Sequence, residues 1–381
     1  MVCKLYNNIY IFSNMQLTMY KLFLIFFLFC MVSINDAYST TISSCPYNIT
    51  APGNYNMTSN ITSSISSTCI QIQSSDVIFD CNNYTLSNNN RAILMAQPIS
   101  NITIGNCNFY APLGITIGGG QSHNIYNVLL ENITMNWTGG VGTSGIDLSS
   151  IFSFHENIRL NNIDINDFYS GLDFKFEYDL RNSYFNNITI RETPFGLEFK
   201  THDFIFDNVS ITNLYTDSVI SMIGVNNIVG LNISNSEFSF ASQQSDAENI
   251  LLYNNTISSF SEFTTSGQSN LNIDVINNSI GEVLIVDAEN ISFINNTFTN
   301  LSEIIYSTTL INNFQSNVYY NETGNGSGLT ICFAVGVCDT NAEVVLFDSL
   351  EQIIESINST SLFPFSNMFL VVSIFFLFFL I

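Results

Sequence analysis

Apolar side chains return at every second position in short runs along most of the chain. Ile188 and Ile190 do so, as do Val209 and Ile211, and Phe293 is followed by Thr297 and Phe298. Period two is the mark of a β-strand with one face in a core. Each run adjoins an asparagine-rich phrase. These phrases are NNIDI at 161, NNITI at 186, DNVSI at 207, LNISN at 231, NNTIS at 254, NNSIG at 277, NNTFT at 295 and NNFQS at 312. The intervals are 25, 21, 24, 23, 23, 18 and 17 residues. Repeats of that length mean a solenoid. Leucine-rich repeats share the length, but their Leu-x-x-Leu-x-Leu frame is absent. The pattern predicts coils of about three short strands, each coil resting on the last at a sheet spacing of ~4.8 Å. Asparagine at an inward turn would then hydrogen-bond to its copies above and below.

A different phrase recurs in the middle of the chain: GIDL from Gly145, GLDFK from Gly171 and GLEFK from Gly196. On stacked coils Leu172, Phe174, Leu197 and Phe199 face in. Asp147, Asp173 and Glu198 form an outward column, with Lys175 and Lys200 in a row beside it. After the leader these are the only two lysines. Stacked carboxylates can raise one another's pKa and split a glycosidic bond, or hold Ca²⁺ through oxygen ligands. The plainer reading is a solvated ladder in which the lysines offset repulsion. No arginine occurs in these phrases. His123, His155 and His202 match no zinc or copper spacing and read as residues of coil edges. GGGQS at 118–122 lacks the lysine of a phosphate-binding loop and reads as a turn. Trp137 and the tyrosines could stack on sugars, though tyrosine on a strand is ordinarily packing. The stretch around 136–145 reads as a protruding loop.

The entry segment, CPYNITAPGNYNMTSNI from Cys45 and CIQIQSSDVIFDCNNYTL from Cys69, resembles the first coils of right-handed parallel β-helix surface proteins of the pectate-lyase-like and NosD-like kind. The resemblance covers about residues 45–320. It implies an all-β fold, a right-handed single-stranded parallel β-helix, and leaves activity open, because the fold hosts lyases, hydrolases and adhesins. A solenoid needs its last coil covered. Asp339 to Ile357 supplies Val344, Phe347, Leu350, Ile354 and Ile357 at helical spacing, which predicts a small C-terminal cap helix or stalk.

The ends read differently from the middle. Residues 22–32 are a short apolar run after Lys21, with Ala37 before a cut, the layout of a secretory signal over 1–37. The β-helix then spans 38–320, with a disulfide turn and cap over 321–358. Residues 359–381 are a hydrophobic tail. Small polar residues precede it, which resembles a GPI-attachment signal at Ser356, Asn358 or Ser359. A plain membrane helix is the other reading of that tail. Together the ends predict an extracellular protein anchored to the outer leaflet of the plasma membrane.

Composition sharpens this. The net charge of −23 repels nucleic acid and anionic membrane. Eighteen N-x-[ST] triplets begin at Asn48, Asn56, Asn60, Asn83, Asn101, Asn132, Asn136, Asn187, Asn208, Asn232, Asn254, Asn277, Asn290, Asn295, Asn300, Asn321, Asn325 and Asn358. In an exported chain they predict heavy N-glycosylation, save where a sequon asparagine faces inward. Cysteine is even in number after the leader, which favours disulfides. Cys332–Cys338 is a local pair and Cys45–Cys69 would fasten the N-terminal end. Cys81 and Cys107 lie one repeat apart and either bridge or stack. No metal or organic cofactor is expected beyond the Ca²⁺ option. The functional expectation is a surface glycoprotein with a structural, adhesive or carbohydrate-binding role, its partners carbohydrate or other surface glycoproteins. The alternatives are a polysaccharide lyase or glycoside hydrolase using the carboxylate column, and a NosD-like metal-handling envelope protein.

Overall fold

The computed structural model describes residues 39–346, apart from 119–123, 138–141, 150–152, 176–177, 201, 224, 244–245, 264–270, 287–290, 300–303, 308–312, 322–325 and 335–336. The described residues hold strands and no helix, and the strands join in one sheet system. Nearly all pairings are parallel, each between strands one coil apart. A single column of register partners shows this. Tyr47 pairs with Ile70, Ile70 with Ile93, Ile93 with Ile115, Ile115 with Ile146 and Ile146 with Leu172. The column continues through Leu197, Ile220, Phe240, Phe260 and Val283 to Ile304. The chain is a parallel β-helix, as the repeat predicts.

The core follows from alternation inside each coil. In Ile125–Asn136 the burial runs inward at Ile125, Val128, Leu130, Ile133 and Met135. The alternation is reset at Asn127 and Asn132, which have φ of 54° each. A left-handed residue turns the strand, and asparagine tolerates that conformation better than other non-glycine residues. Pairs of left-handed asparagines five residues apart recur as Asn101 and Asn106, Asn157 and Asn162, Asn182 and Asn187, and Asn208 and Asn213. Like side chains stack along the axis inside. Phe174 and Phe199 lie 4.7 Å apart at 8°, Phe240 and Phe260 5.1 Å apart, and Phe293 and Phe314 4.8 Å apart. These distances are close to the coil spacing itself.

Two turns per coil also correct the frame of the repeat. NNITI at 186 is in register with residues from Thr212, whereas DNVSI at 207 is in register with Arg181 and its neighbours. The phrase jumps from one row of turns to the other, which is why that interval shortens to 21.

The expected asparagine ladder exists, one position after the left-handed turn. Asn255, Asn278, Asn296 and Asn317 are all buried. Each Oδ1 accepts the backbone N–H of the copy one coil earlier: Asn255 to Asn278, Asn278 to Asn296 and Asn296 to Asn317, each at 2.8 Å. Each Nδ2 donates to a carbonyl, Asn296 to Val275 at 2.8 Å for instance. The last rung is Asp339, fully buried. Its Oδ2 accepts from Asn317 N at 3.0 Å, Asn317 Nδ2 at 2.6 Å and Tyr319 Oη at 2.8 Å. Burial, and then the Asp339 carboxylate, push the Tyr319 phenol above its ordinary value.

Asp339 therefore sits in a strand. Val337–Leu346 pairs parallel with Val318–Asn321 and antiparallel with Gly326–Ala334. This corrects the first half of the expected cap helix. An open last coil offers a row of backbone partners, and β-branched Val344 and Val345 suit a strand, so tertiary pairing outweighs the helical spacing. The remainder of that segment, the leader before 38, the tail over 359–381 and Ser356, Asn358 and Ser359 lie outside the described residues.

Cys45–Cys69 and Cys81–Cys107 are disulfides, each with Cα atoms 4.8 Å apart across one coil. Cys332 and Cys338 are direct partners in the antiparallel hairpin.

Candidate functional site

The recurrent GIDL, GLDFK and GLEFK phrases occupy one sheet of the helix, and LGITI at 113–117 is a fourth copy. Thr116 pairs with Asp147, Asp147 with Asp173, Asp173 with Glu198, and Glu198 with Ser221. The glycines have a packing cause. A Cβ on Gly171 would meet Ile190 Cδ1 at 2.6 Å and Gly196 O at 2.7 Å, and one on Gly145 would meet Gly171 O at 2.9 Å. Neither has a left-handed backbone. Clearance between coils, rather than conformational freedom, requires glycine in this row.

The carboxylate column forms as expected but is not solvated. Asp147, Asp173 and Glu198 are 7%, 1% and 7% exposed. Thr116, Ser144, Ser170 and Ser221 beside them are buried as well. Covered carboxylates need hydrogen bonds in place of water, and serines supply them from the adjacent coil. Ser144 Oγ donates to Asp173 Oδ2 at 2.7 Å, and Ser170 Oγ donates to Glu198 Oε2. Ser144 and Ser170 are themselves register partners. The serine row was missed in the sequence, although both residues stand three positions before their own coil's carboxylate.

Arginine was missed for a different reason. Burial lowers the Arg91 guanidinium from its ordinary value, and the charge of Asp147 acts against that shift. Arg91 is two coils upstream, outside every acidic phrase, so only the coil geometry places it near Asp147. Lys175 and Lys200 sit in register, and Ser149 precedes them in that row. The lysine side chains lie outside the described part.

Adjacent coils put the backbones of neighbouring carboxylate residues about 4.8 Å apart along the sheet, a spacing comparable to the carboxyl separation of a retaining glycosidase pair. Acid–base work on a polymer also needs contact with it, and Asp173 at 1% exposure offers almost none. Among the described residues no cluster of His, Cys, Asp and Glu could hold a metal ion. His155 is not at a coil edge. It is fully buried, in register between Ile125 and Leu180. His202 begins the strand His202–Ile223, and His123 lies outside the described residues. Trp137 packs against the core with Tyr110, ring centroids 5.5 Å apart, which is the packing reading. The described residues contain no helix long and apolar enough to cross a membrane.

No family model matches the chain, and no curated protein does. Among solved structures, the tailspike protein of Escherichia coli bacteriophage HK620, in complex with a hexasaccharide, aligns at 15% identity and a TM-score of 0.30. The alignment covers 76% of this chain and 60% of the tailspike's length. The assignment of the fold rests on the strand register.

Proposed function

We propose that the chain is an exported, N-glycosylated β-helix held at a cell surface, with a structural or adhesive role rather than a catalytic one. The observation that carries this is how its asparagines divide. Where the structure describes the side chain of a sequon asparagine, from Asn48 to Asn295, that residue is exposed or half-buried and never in the core. The buried asparagines, Asn88, Asn255, Asn278, Asn296 and Asn317, begin no sequon. In the triplets from Asn254, Asn277 and Asn295 the split falls between neighbours, the first asparagine out and the second in. A glycan needs that outward side chain. Two disulfides across coils suit an oxidising compartment. The GPI-like tail supplies the anchor in this reading.

The test is expression of the full chain in a eukaryotic secretory cell. Several glycans should come off as a mass loss on enzymatic deglycosylation, and a phosphatidylinositol-specific phospholipase should release the protein from intact cells. An unchanged mass for protein that has reached the surface sinks the glycoprotein. Retention after phospholipase treatment sinks the GPI anchor alone.

The spacing of Asp147, Asp173 and Glu198 favours a second reading, a surface polysaccharide lyase or hydrolase. Asp173→Asn with Glu198→Gln keeps the shape of the column. Loss of polysaccharide cleavage in a folded double variant would promote that reading, and cleavage at the wild-type rate would remove it.

A further inference from the structure

The sheet formed by 77–80, 102–105, 128–131 and 158–161 lies between two rows of left-handed turn residues. Along one row Asn101 Nδ2 donates to Asp76 Oδ1 at 2.7 Å, Asn127 Nδ2 to Asn101 Oδ1 at 2.9 Å, and Asn157 Nδ2 to Asn127 Oδ1 at 2.8 Å. Arg159 Nε closes it by donating to Asn157 Oδ1 at 2.9 Å. A carboxylate accepts only and a guanidinium donates only. The two ends therefore fix the orientation of every amide between them. Each amide has two N–H donors and two acceptor directions and commits one of each to the row. One donor and one acceptor remain per coil, at a repeat of about 4.8 Å.

This row walls a groove of about 450 Å³. Its floor is another register column, Asn54, Ile78, Thr103, Leu129 and Arg159. Ile78 is 49% exposed, unusual for so large an apolar side chain on this protein. Tyr184 is next on the column, 45% exposed. The groove thus has regularly spaced neutral amides along one side and apolar patches below. Its charges sit at its ends, engaged with the amide row.

We infer that this groove binds a neutral, hydroxyl-rich saccharide chain laid along the axis of the helix, one sugar for each coil. Vicinal hydroxyls accept and donate together, which matches one free N–H and one free acceptor per amide, and the sugar's C–H face suits Ile78 and Leu129. An extended peptide advances ~3.3 Å per residue and falls out of step with the coils. An acidic polymer is repelled by a chain of net charge −23. The inference rests on the adhesive reading only in naming what is bound. Such a chain has two sources: a glycan from outside, or the N-glycan on Asn101, which starts the sequon ending at Thr103 and stands in the wall itself.

The experiment titrates purified full chain with neutral gluco- and manno-oligosaccharides and with oligogalacturonate of equal length. Neutral chains should bind and oligogalacturonate should not. Asn127→Gly and Asn157→Gly suit the left-handed backbone and should each weaken binding roughly tenfold. Asn254→Gly, also left-handed but outside the groove, should leave it unchanged. Endoglycosidase trimming of the N-glycans to their first sugar leaves every groove residue in place and separates the sources. Binding to the untreated protein identifies an external glycan. Binding only to the trimmed protein identifies the attached one as the normal occupant. If no neutral chain binds either protein, or if binding survives both groove variants, the inference is overturned. Glycan mass and surface release are read separately, so failure here leaves the surface-glycoprotein reading standing, and the reverse.

Discussion

The sheet that carries the glycine and carboxylate rows and the turns that flank the opposite sheet stack the same coils by different means. In Arg91–Met95, Leu113–Ile117, Gly142–Ser149, Phe168–Lys175, Phe195–Lys200 and Ser279–Val286, the first sheet carries no asparagine. The turns place asparagine at almost every coil. Where the strand runs straight and neighbouring coils approach closely, the limit is space, and glycine answers it. Where the chain must bend through a left-handed conformation, the limit is backbone strain, and asparagine answers that while linking coils through its amide. The buried ladder adds a third case. There the side chain replaces backbone partners that a tight inward turn cannot provide.

Breaking the buried ladder should have the largest effect. Asn296 accepts from Asn278 N and Nδ2 and donates to Val275 O and Asn317 Oδ1. Asn296→Ala strands several buried groups at once and should cost about 4 kcal/mol, taking 1–3 for each unsatisfied group and allowing some relaxation. Asn187→Gly deletes one exposed amide bond, to Asn162 Oδ1 at 2.7 Å, at a position glycine suits. It should cost less than about 1 kcal/mol. Urea midpoints of the two proteins give the comparison. Equal costs would mean that the inner and outer asparagines do the same work.

Much of this was legible beforehand. Period two and the recurrence of asparagine gave the coils, and Gly145, Gly171 and Gly196 gave the correct register of Asp147, Asp173 and Glu198. What escaped was whatever depends on more than one coil. The sequence shows that Asp173 points out of its strand, and does not show that the outer face is covered there. It shows Arg91 far from the acidic phrases, and only stacking brings it within reach of Asp147. His155 reads as an edge residue by its polarity, yet it occupies a core column between Ile125 and Leu180. The five-residue spacing of Asn101 and Asn106, or Asn127 and Asn132, was available as a signal for two turns per coil. Reading one phrase per coil concealed it and misaligned DNVSI. The first half of the cap was misread because helical spacing is local, whereas the open edge that recruits Val337–Leu346 is built by the coils before it.

Crowding the glycine row should cost less than cutting the ladder. On Gly171 a methyl group would press on a backbone oxygen of the next coil and on a movable isoleucine side chain. Gly171→Ala should therefore destabilise by about 2 kcal/mol, overpacking being partly offset by the lower entropy of the unfolded chain. Thermal unfolding checks it. A stabilised variant would show that clearance is not what holds glycine in that row.

The smallest effect concerns a half-buried charge outside the carboxylate column, in the row of Asp164, Thr189 and Tyr215. Glu237 opens the strand Glu237–Gln243, and burial raises its carboxyl above the ordinary 4.5. The Tyr215 phenol, its register partner, is raised by burial and then by the Glu237 charge. A raised folded value means that the fold disfavours the ionised form. The protein should then be most stable with Glu237 protonated, losing stability as pH climbs from the unfolded value through the folded one and levelling off above it. Glu237→Gln removes that loss. Solvent screening at this half-buried site keeps the effect small, so the substitution should stabilise the protein at pH 7 by only about a few tenths of a kcal/mol, and the gain should vanish at pH 4. Measuring urea midpoints at both values decides it. A gain that persists unchanged at pH 4 would show that the fold tolerates the charge there and that the side chain's shape is the cause.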